Sequence, residues 1–340
     1  MFIGLHLWNR RTKAVIKVLL SALLLFWLLR SVHLAKILTA ATKANVGYLV
    51  LAVLCQVASN LVAGFRWCLT MDILDMQESP SFFVKSFFKG TFFNQVLPGS
   101  IGGDAVRMLD LKALGYGASD AVEGVIIDRG IGLLCLLALC LFGTFVGTDL
   151  LPPAVFRGVR YLCISGIAGF GFLAILSRIP ILKKIGFILF LMRISEKIWR
   201  VFSAGRKAGI IITVSVLVHI LAIFSIFLIS LSIGQDLGLL IFLVIFPSVV
   251  LLTVIPVSFA GWGVREGAMV GLFMSAGVDK APILLISILY GFLVIVASFP
   301  GLFFWLIKQE TKAKRQQHSD SSGSHLSGHL ENSNVRLKYE

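Results

Sequence analysis

Six ionisable side chains stand in or beside long apolar runs: Asp104, Arg107, Asp128, Arg129, Arg265 and Glu266. Charges in such surroundings are costly; they face an interior or a water-filled cavity, where they line pathways or form buried pairs. An arginine fork suits bidentate recognition of a phosphate or a carboxylate. An acid beside it neutralises the fork when no anion is bound. Asp104 stands in this relation to Arg107, and Glu266 to Arg265. Asp128 and Arg129 fall a turn inside a helix that begins near Glu123, in reach of each other's neighbours or of the Arg107 segment. These residue types offer two things: binding and gating of an anion, or buried structural ion pairing.

The two arginines end related strings. Residues 97–107 read LPGSIGGDAVR and residues 255–265 read IPVSFAGWGVR. At a constant offset of 158, Pro98 matches Pro256, Ser100 matches Ser258, Gly103 matches Gly261, Val106 matches Val264 and Arg107 matches Arg265. Each proline removes a donor and ends an entering helix, while Gly102, Gly103, Gly261 and Gly263 permit tight turns. Helices restarting near Asp104 and Val264 turn N–H groups and a positive dipole end toward an anion. Asn94, one turn before Pro98, is placed to cap freed backbone or to touch a headgroup. The plainer reading of both strings is a kink that lets helices pack closely.

The elements that must position these residues are membrane helices. Hydrophobic residues make up 57% of the 340 positions, mean hydropathy is +0.92 and only 14% are charged. A soluble domain carries about 25% charged residues. The length would serve two soluble domains, but the apolar residues come in runs of spanning length at 14–29, 46–63, 124–147, 159–176, 210–231, 237–254 and 282–307. The short alternating strands of a spanning barrel are absent. The first run is too long for a signal h-region and no convincing cleavage site follows, so it reads as a retained helix. The five cysteines, Cys55, Cys68, Cys135, Cys140 and Cys163, show no disulfide or metal spacing and read as small buried hydrophobes.

Charge sets the topology. The net charge of +14 would suggest nucleic acid in a soluble chain; here it maps onto loops. Arg178, Lys183, Lys184, Arg193, Lys197, Arg200, Arg206 and Lys207 face only Glu196 in their segment, so that segment belongs on the cytoplasmic side. Its middle mixes apolar and basic residues and reads as an amphipathic stretch along the membrane surface. If 81–97 and 237–254 both crossed, the basic loop would fall outside. If instead each enters and returns, about six spans remain and both termini are cytoplasmic. The expected fold is therefore all-α integral membrane: a polytopic helical bundle of about six spanning helices plus two re-entrant Pro/Gly hairpins in an inverted repeat. Repeat one covers about 46–147 and repeat two about 210–307; residues 311–340 form a disordered cytoplasmic tail. Inverted repeats with discontinuous helices characterise secondary transporters.

Weaker polar signals have plain readings. Gln56 and Asn60 share a helical face and suit interhelical hydrogen bonds. His219 reads as a satisfied packing histidine. Phe82, Phe83, Phe87, Phe88, Phe92 and Phe93, around Lys85 and Lys89, read as an aromatic face for lipid tails or membrane anchoring.

The strings NQVLPGSIGGDAVR, VIIDRGIGLL and PVSFAGWGVREGA, in that order, resemble the lysylphosphatidylglycerol synthase transmembrane (flippase-like) family over roughly 15–308. Its N-x-x-L-P, G-G-D-x-x-R, D-R-x-x-G and P-x-S-x-x-G-x-G-x-x-E elements fall on Asn94 to Pro98, Gly102 to Arg107, Asp128 to Gly132 and Pro256 to Glu266. The resemblance implies movement of a phospholipid or polyprenyl-type lipid between leaflets. The lysyl-transferring relatives carry a soluble synthase domain after the membrane part, where this sequence has a short polar tail, so only the membrane half is expected. The expectation is a transporter of an anionic lipid in the inner (cytoplasmic) membrane, not an enzyme. Membrane lipids are its partners, and it needs no metal, no cofactor and no nucleic acid. No GxxxxGK[ST] loop is present for ATP hydrolysis. Two competitors stay open on the sequence: an integral-membrane transferase acting on a lipid-linked phosphate, and a non-transporting partner of an envelope-biogenesis complex. Self-association is not written in the residues.

Overall fold

A computed structural model describes residues 42–97, 102–178, 186–254 and 261–307. The expected helix at 14–29, the tail at 311–340, and Pro98, Ser100, Pro256 and Ser258 lie outside the described residues. The described elements are all helices: α1 (Val46–Ile73), α2 (Pro80–Val96), α3 (Gly102–Lys112), α4 (Ala118–Val146), α5 (Pro153–Ile175, extended by a 3₁₀ turn at Leu176–Arg178), α6 (Gly186–Phe202), α7 (Arg206–Ser232), α8 (Leu239–Thr253), α9 (Val264–Ser275) and α10 (Lys280–Ile307).

Five of these, α1, α4, α5, α7 and α10, are long and apolar enough to cross a membrane, and they coincide with five of the expected spans. By contrast α2 has 17 residues and α8 has 15, or about 25 and 22 Å of axis, short of a hydrocarbon core of about 30 Å. Ser79 caps α2 by accepting from the Phe82 N–H, and Pro80 follows it at the first helical position, which starts the helix abruptly.

Both short pairs enter and return. The Tyr116 hydroxyl, after α3, donates to the Gln77 carbonyl, before α2, at 3.2 Å, so the α2–α3 hairpin begins and ends on one side. In the other pair the Phe242 and Phe273 rings, at the start of α8 and the end of α9, lie 5.3 Å apart.

The two hairpins open to opposite sides. Helices α1 and α7, the first of each repeat, run antiparallel along their whole length. Asn45 N–H donates to the Ser232 carbonyl, Ser225 to that of Ala52 and Ser59 to that of Val218, while Lys207 pairs with Asp72 at 2.6 Å. That seam is what an inverted repeat requires, with Ser59 and Val218 near the pseudo-two-fold axis.

The basic segment gathers on one side. Its helix α6 buries Met192, Ile194, Ile198 and Val201 and reaches across with its cations. Arg193 and Lys197 pair with Glu123 at 2.9 and 2.6 Å, Lys197 also with Asp120 at 2.7 Å, and Arg200 with Asp75 at 2.6 Å. Burial draws the Lys197 pKa down, but hydrogen bonds to Asp120 and Glu123 outweigh it and hold the pKa above its ordinary value. Lys197→Glu is expected to lower the thermal midpoint in detergent and to speed hydrogen exchange in α6. The buried Glu123 would then face a second carboxylate, at a cost of about 1–3 kcal/mol; unchanged exchange would mean that α6 is held by its apolar face alone.

The aromatic face of α2 corrects an expectation. Phe83 and Phe88 are buried, Phe83 against Trp67 and Phe88 against Phe304; Phe93 meets Trp305. Phe83 and Phe88 therefore hold α2 between α1 and α10 and are closed to lipid, while Phe82, Phe87, Phe92 and Phe93 stay half-buried. Lys89, set among them, is buried and paired with Asp110. Gln56 and Asn60 both reach α10, accepting from the Tyr290 hydroxyl and donating to the Ala297 carbonyl. His219 donates to the Gly132 carbonyl at 3.0 Å, and the five cysteines are free. Helix α5 is different again: only Phe156 and Cys163 of its residues are buried.

Candidate functional site

Where α3 restarts after the first hairpin tip, its backbone lies against α2. A Cβ on Gly103 would land on the Gly90 carbonyl, so only glycine allows this approach. Asn94, on the last turn of α2, accepts from the Gly103 N–H at 2.8 Å. That is the first of its two expected roles, and Asn94 also lines a cavity. This crossing aims Arg107 inward between α1 and α4.

Arg107 is buried, and its guanidinium lies 3.9 Å from the Trp67 ring centre and 5.0 Å from that of Phe87. Its close carboxylate is Asp128, at 2.6 Å. Asp104, the neighbour expected to neutralise it, pairs with it more loosely at 3.5 Å and also holds Arg129 at 3.0 Å. Asp128, presented by α4 across the gap, is the closer of the two, and Asp104 is shared with Arg129. Arg66 on α1 donates to the other Asp128 oxygen at 2.9 Å, so one buried carboxylate joins two arginines. Arg66, Phe87, Gly90, Thr91, Asn94, Asp104, Arg107, Asp128 and Arg129 wall a cavity of about 160 Å³.

The second hairpin builds a counterpart. Gly261 and Gly263 take φ of +82° and +85°, a region that L side chains rarely adopt, which accounts for the spaced glycines before Arg265. Glu266 is fully buried. One of its oxygens accepts from the Gly263 N–H at 2.6 Å; the other takes the Arg265 fork at 3.0 and 2.6 Å and the Ser287 hydroxyl at 3.2 Å. The expected Arg265–Glu266 pairing is present. Arg265 lies over Trp262 and Tyr290, at 4.8 and 5.8 Å from the ring centres. Gln56, Gln95, Thr253, Gly261, Arg265 and Tyr290 supply polar wall to a cavity of about 170 Å³, closed by Phe246 and aliphatic residues.

The structure thus gathers Asn94, Gly103, Asp104, Arg107, Asp128 and Arg129 at one cavity and Gly261, Gly263, Arg265 and Glu266 at another. Gly102 packs tightly on Leu97 at the base of the first. The described residues form two cavities, both bordered by α1. Gln56 and Arg66, one in each, are separated by about 15 Å of helix axis. One N–H at the start of each restarting helix is already occupied, that of Gly103 by Asn94 and that of Gly263 by Glu266.

A family model described as the lysylphosphatidylglycerol synthase TM region matches residues 14–301. The chain belongs to that family. The match covers repeat one, repeat two as far as residue 301, both cavities and every candidate residue named above. A search of curated proteins finds no match. The family motifs leave out Arg66 and Trp67, which the sequence reading also missed. The available signal was a charge three residues past an apolar run ending at Ala63, with further apolar residues, Trp67, Cys68 and Leu69, beyond it.

Proposed function

We propose that this protein moves a lipid with an anionic headgroup, an anionic phospholipid or a polyprenyl-type lipid, between the leaflets without changing it covalently. The observation that carries the reading is the pair of buried arginines, each at the wall of a polar cavity, on hairpins entering from opposite sides. A headgroup would enter these cavities while its tails stay among the apolar outer faces of the helices.

The ion pairs suit exchange. If Arg107 turns to a phosphate, Asp128 keeps Arg66. If Arg265 does so, Glu266 keeps the Gly263 N–H and Ser287. Neither carboxylate is stranded, which avoids the several kcal/mol that a lone buried charge costs. Under the positive-inside rule the α6 side faces the cytoplasm of an inner membrane, and the first hairpin opens from there.

The test is scrambling by purified protein in liposomes carrying fluorescent phospholipid and polyprenyl-phosphate reporters. Wild type is expected to translocate an anionic reporter. Arg107→Ala and Arg265→Ala are each expected to slow it by at least about tenfold, the worth of one charge-assisted hydrogen bond. Folded wild-type protein that moves no anionic lipid would sink the proposal.

A further inference from the structure

The two cavities match in size but differ in charge. The first is walled by three guanidinium groups, Arg66, Arg107 and Arg129, and by two carboxylates, Asp104 and Asp128. One positive charge is left over. Among the described residues the second has Arg265 as its one charged lining residue, and Glu266 behind it cancels that charge at 2.6 Å. Its remaining polar wall is amide and hydroxyl: Gln56, Gln95, Thr253 and Tyr290.

A second observation points to the same cavity. The Nε of Arg107, a residue of that wall, is buried and has no hydrogen-bond partner, so this fork has one donor more than Asp128 uses and can offer it to an anion once the side chain turns toward the cavity. Buried donors are almost always satisfied. A phosphate oxygen accepts strongly from a guanidinium and brings the one negative charge that the wall balances.

We propose that the first repeat alone reads headgroup charge, and that its cavity selects a phosphodiester lipid with a single net negative charge over a zwitterionic one. The second cavity, electroneutral and lined by amides of the first repeat and hydroxyls of the second, passes the headgroup without testing its charge. The choice of a lipid phosphodiester over a free anion rests on the transport reading; the charge surplus and the spare donor do not. Selectivity then follows the surplus. Arg66→Gln removes it, Asp104→Asn doubles it, and the two together restore it. Arg66 acts here as a specificity-determining residue through the charge it adds.

The experiment is equilibrium binding to the purified full chain in neutral detergent. The probes are short-chain phosphatidylglycerol (one net negative charge), short-chain phosphatidylethanolamine (zwitterionic) and methyl phosphate. Wild type is expected to prefer phosphatidylglycerol over phosphatidylethanolamine by about tenfold or more, the effect of one unpaired charge. That preference should collapse in Arg66→Gln, widen in Asp104→Asn, return in the double variant, and persist in Gln56→Ala at the other cavity. If Arg66→Gln does not fold, the gain in Asp104→Asn reads the same quantity. A preference indifferent to this series overturns the assignment, as does one that disappears in Gln56→Ala. Methyl phosphate binding as tightly as the lipid, with the same pattern, overturns the lipid source and leaves a free-anion site. The expected pattern without scrambling would strike the transport reading and keep the cavity's charge selectivity; scrambling without the pattern would do the reverse.

Discussion

Asp128→Asn is expected to destabilise the protein by about 3–5 kcal/mol, the cost of removing one partner from a buried ionic group. Asp128 is 1% exposed and takes Arg66 on one oxygen and Arg107 on the other. Without its charge, two buried guanidinium groups face each other across an amide. Arg66→Gln should cost less, because Asp128 keeps Arg107. The double variant Arg66→Gln, Asp128→Asn should recover part of the loss, since the two residues share one network. Thermal or denaturant midpoints of detergent-purified protein measure all three. An Asp128→Asn midpoint equal to that of wild type would show that the carboxylate does not join α1, α3 and α4.

Gly103→Ala should be nearly as damaging, and for a different reason. The added methyl would strike the Gly90 carbonyl and come within 2.7 Å of the Asn94 side chain. Backbone cannot turn aside as a flexible side chain can. Helices α2 and α3 must part, costing about 1–3 kcal/mol or more and breaking the Asn94 cap. Since Arg107 lies one turn further along α3, lipid movement should fall with it. Gly267→Ala is the control: its Cβ meets nothing within 4 Å, at an exposed helical position. There the substitution should be neutral, or stabilising by up to about 1 kcal/mol. Equal midpoints for the two variants would rule out the close approach of α2 and α3.

Much of this architecture was legible because water and lipid penalise the same residues in opposite ways. Apolar runs gave the spans, and the basic cluster from Arg178 to Lys207 decided which runs turn back. The 158-residue offset paired Arg107 with Arg265 before any geometry. What stayed hidden has one physical origin. Inside a bilayer a side chain facing lipid and one facing protein are equally apolar, so the phenylalanines of α2 carried no sign of which they met. Arg66 escaped for the complementary reason: hydropathy ends a span at the first charge, whereas α1 continues to Ile73 because Asp128, 62 residues later, makes that charge tolerable. Asp104 was assigned by adjacency, and a partner across a helix gap held Arg107 more closely.

Helix α5 contributes little to the packed interior, yet the parity of the chain depends on it. Repeat one, from α1 through α4, crosses the membrane an even number of times, with the α2–α3 hairpin returning to its own side. Joined directly to α7, a second copy would therefore sit the same way up as the first. One additional crossing turns it over. A helix that buries only Phe156 and Cys163, and reaches its neighbours mainly through Arg160 and Phe170, thus matters above all as one more crossing: its loss would leave both arginines approachable from the same face.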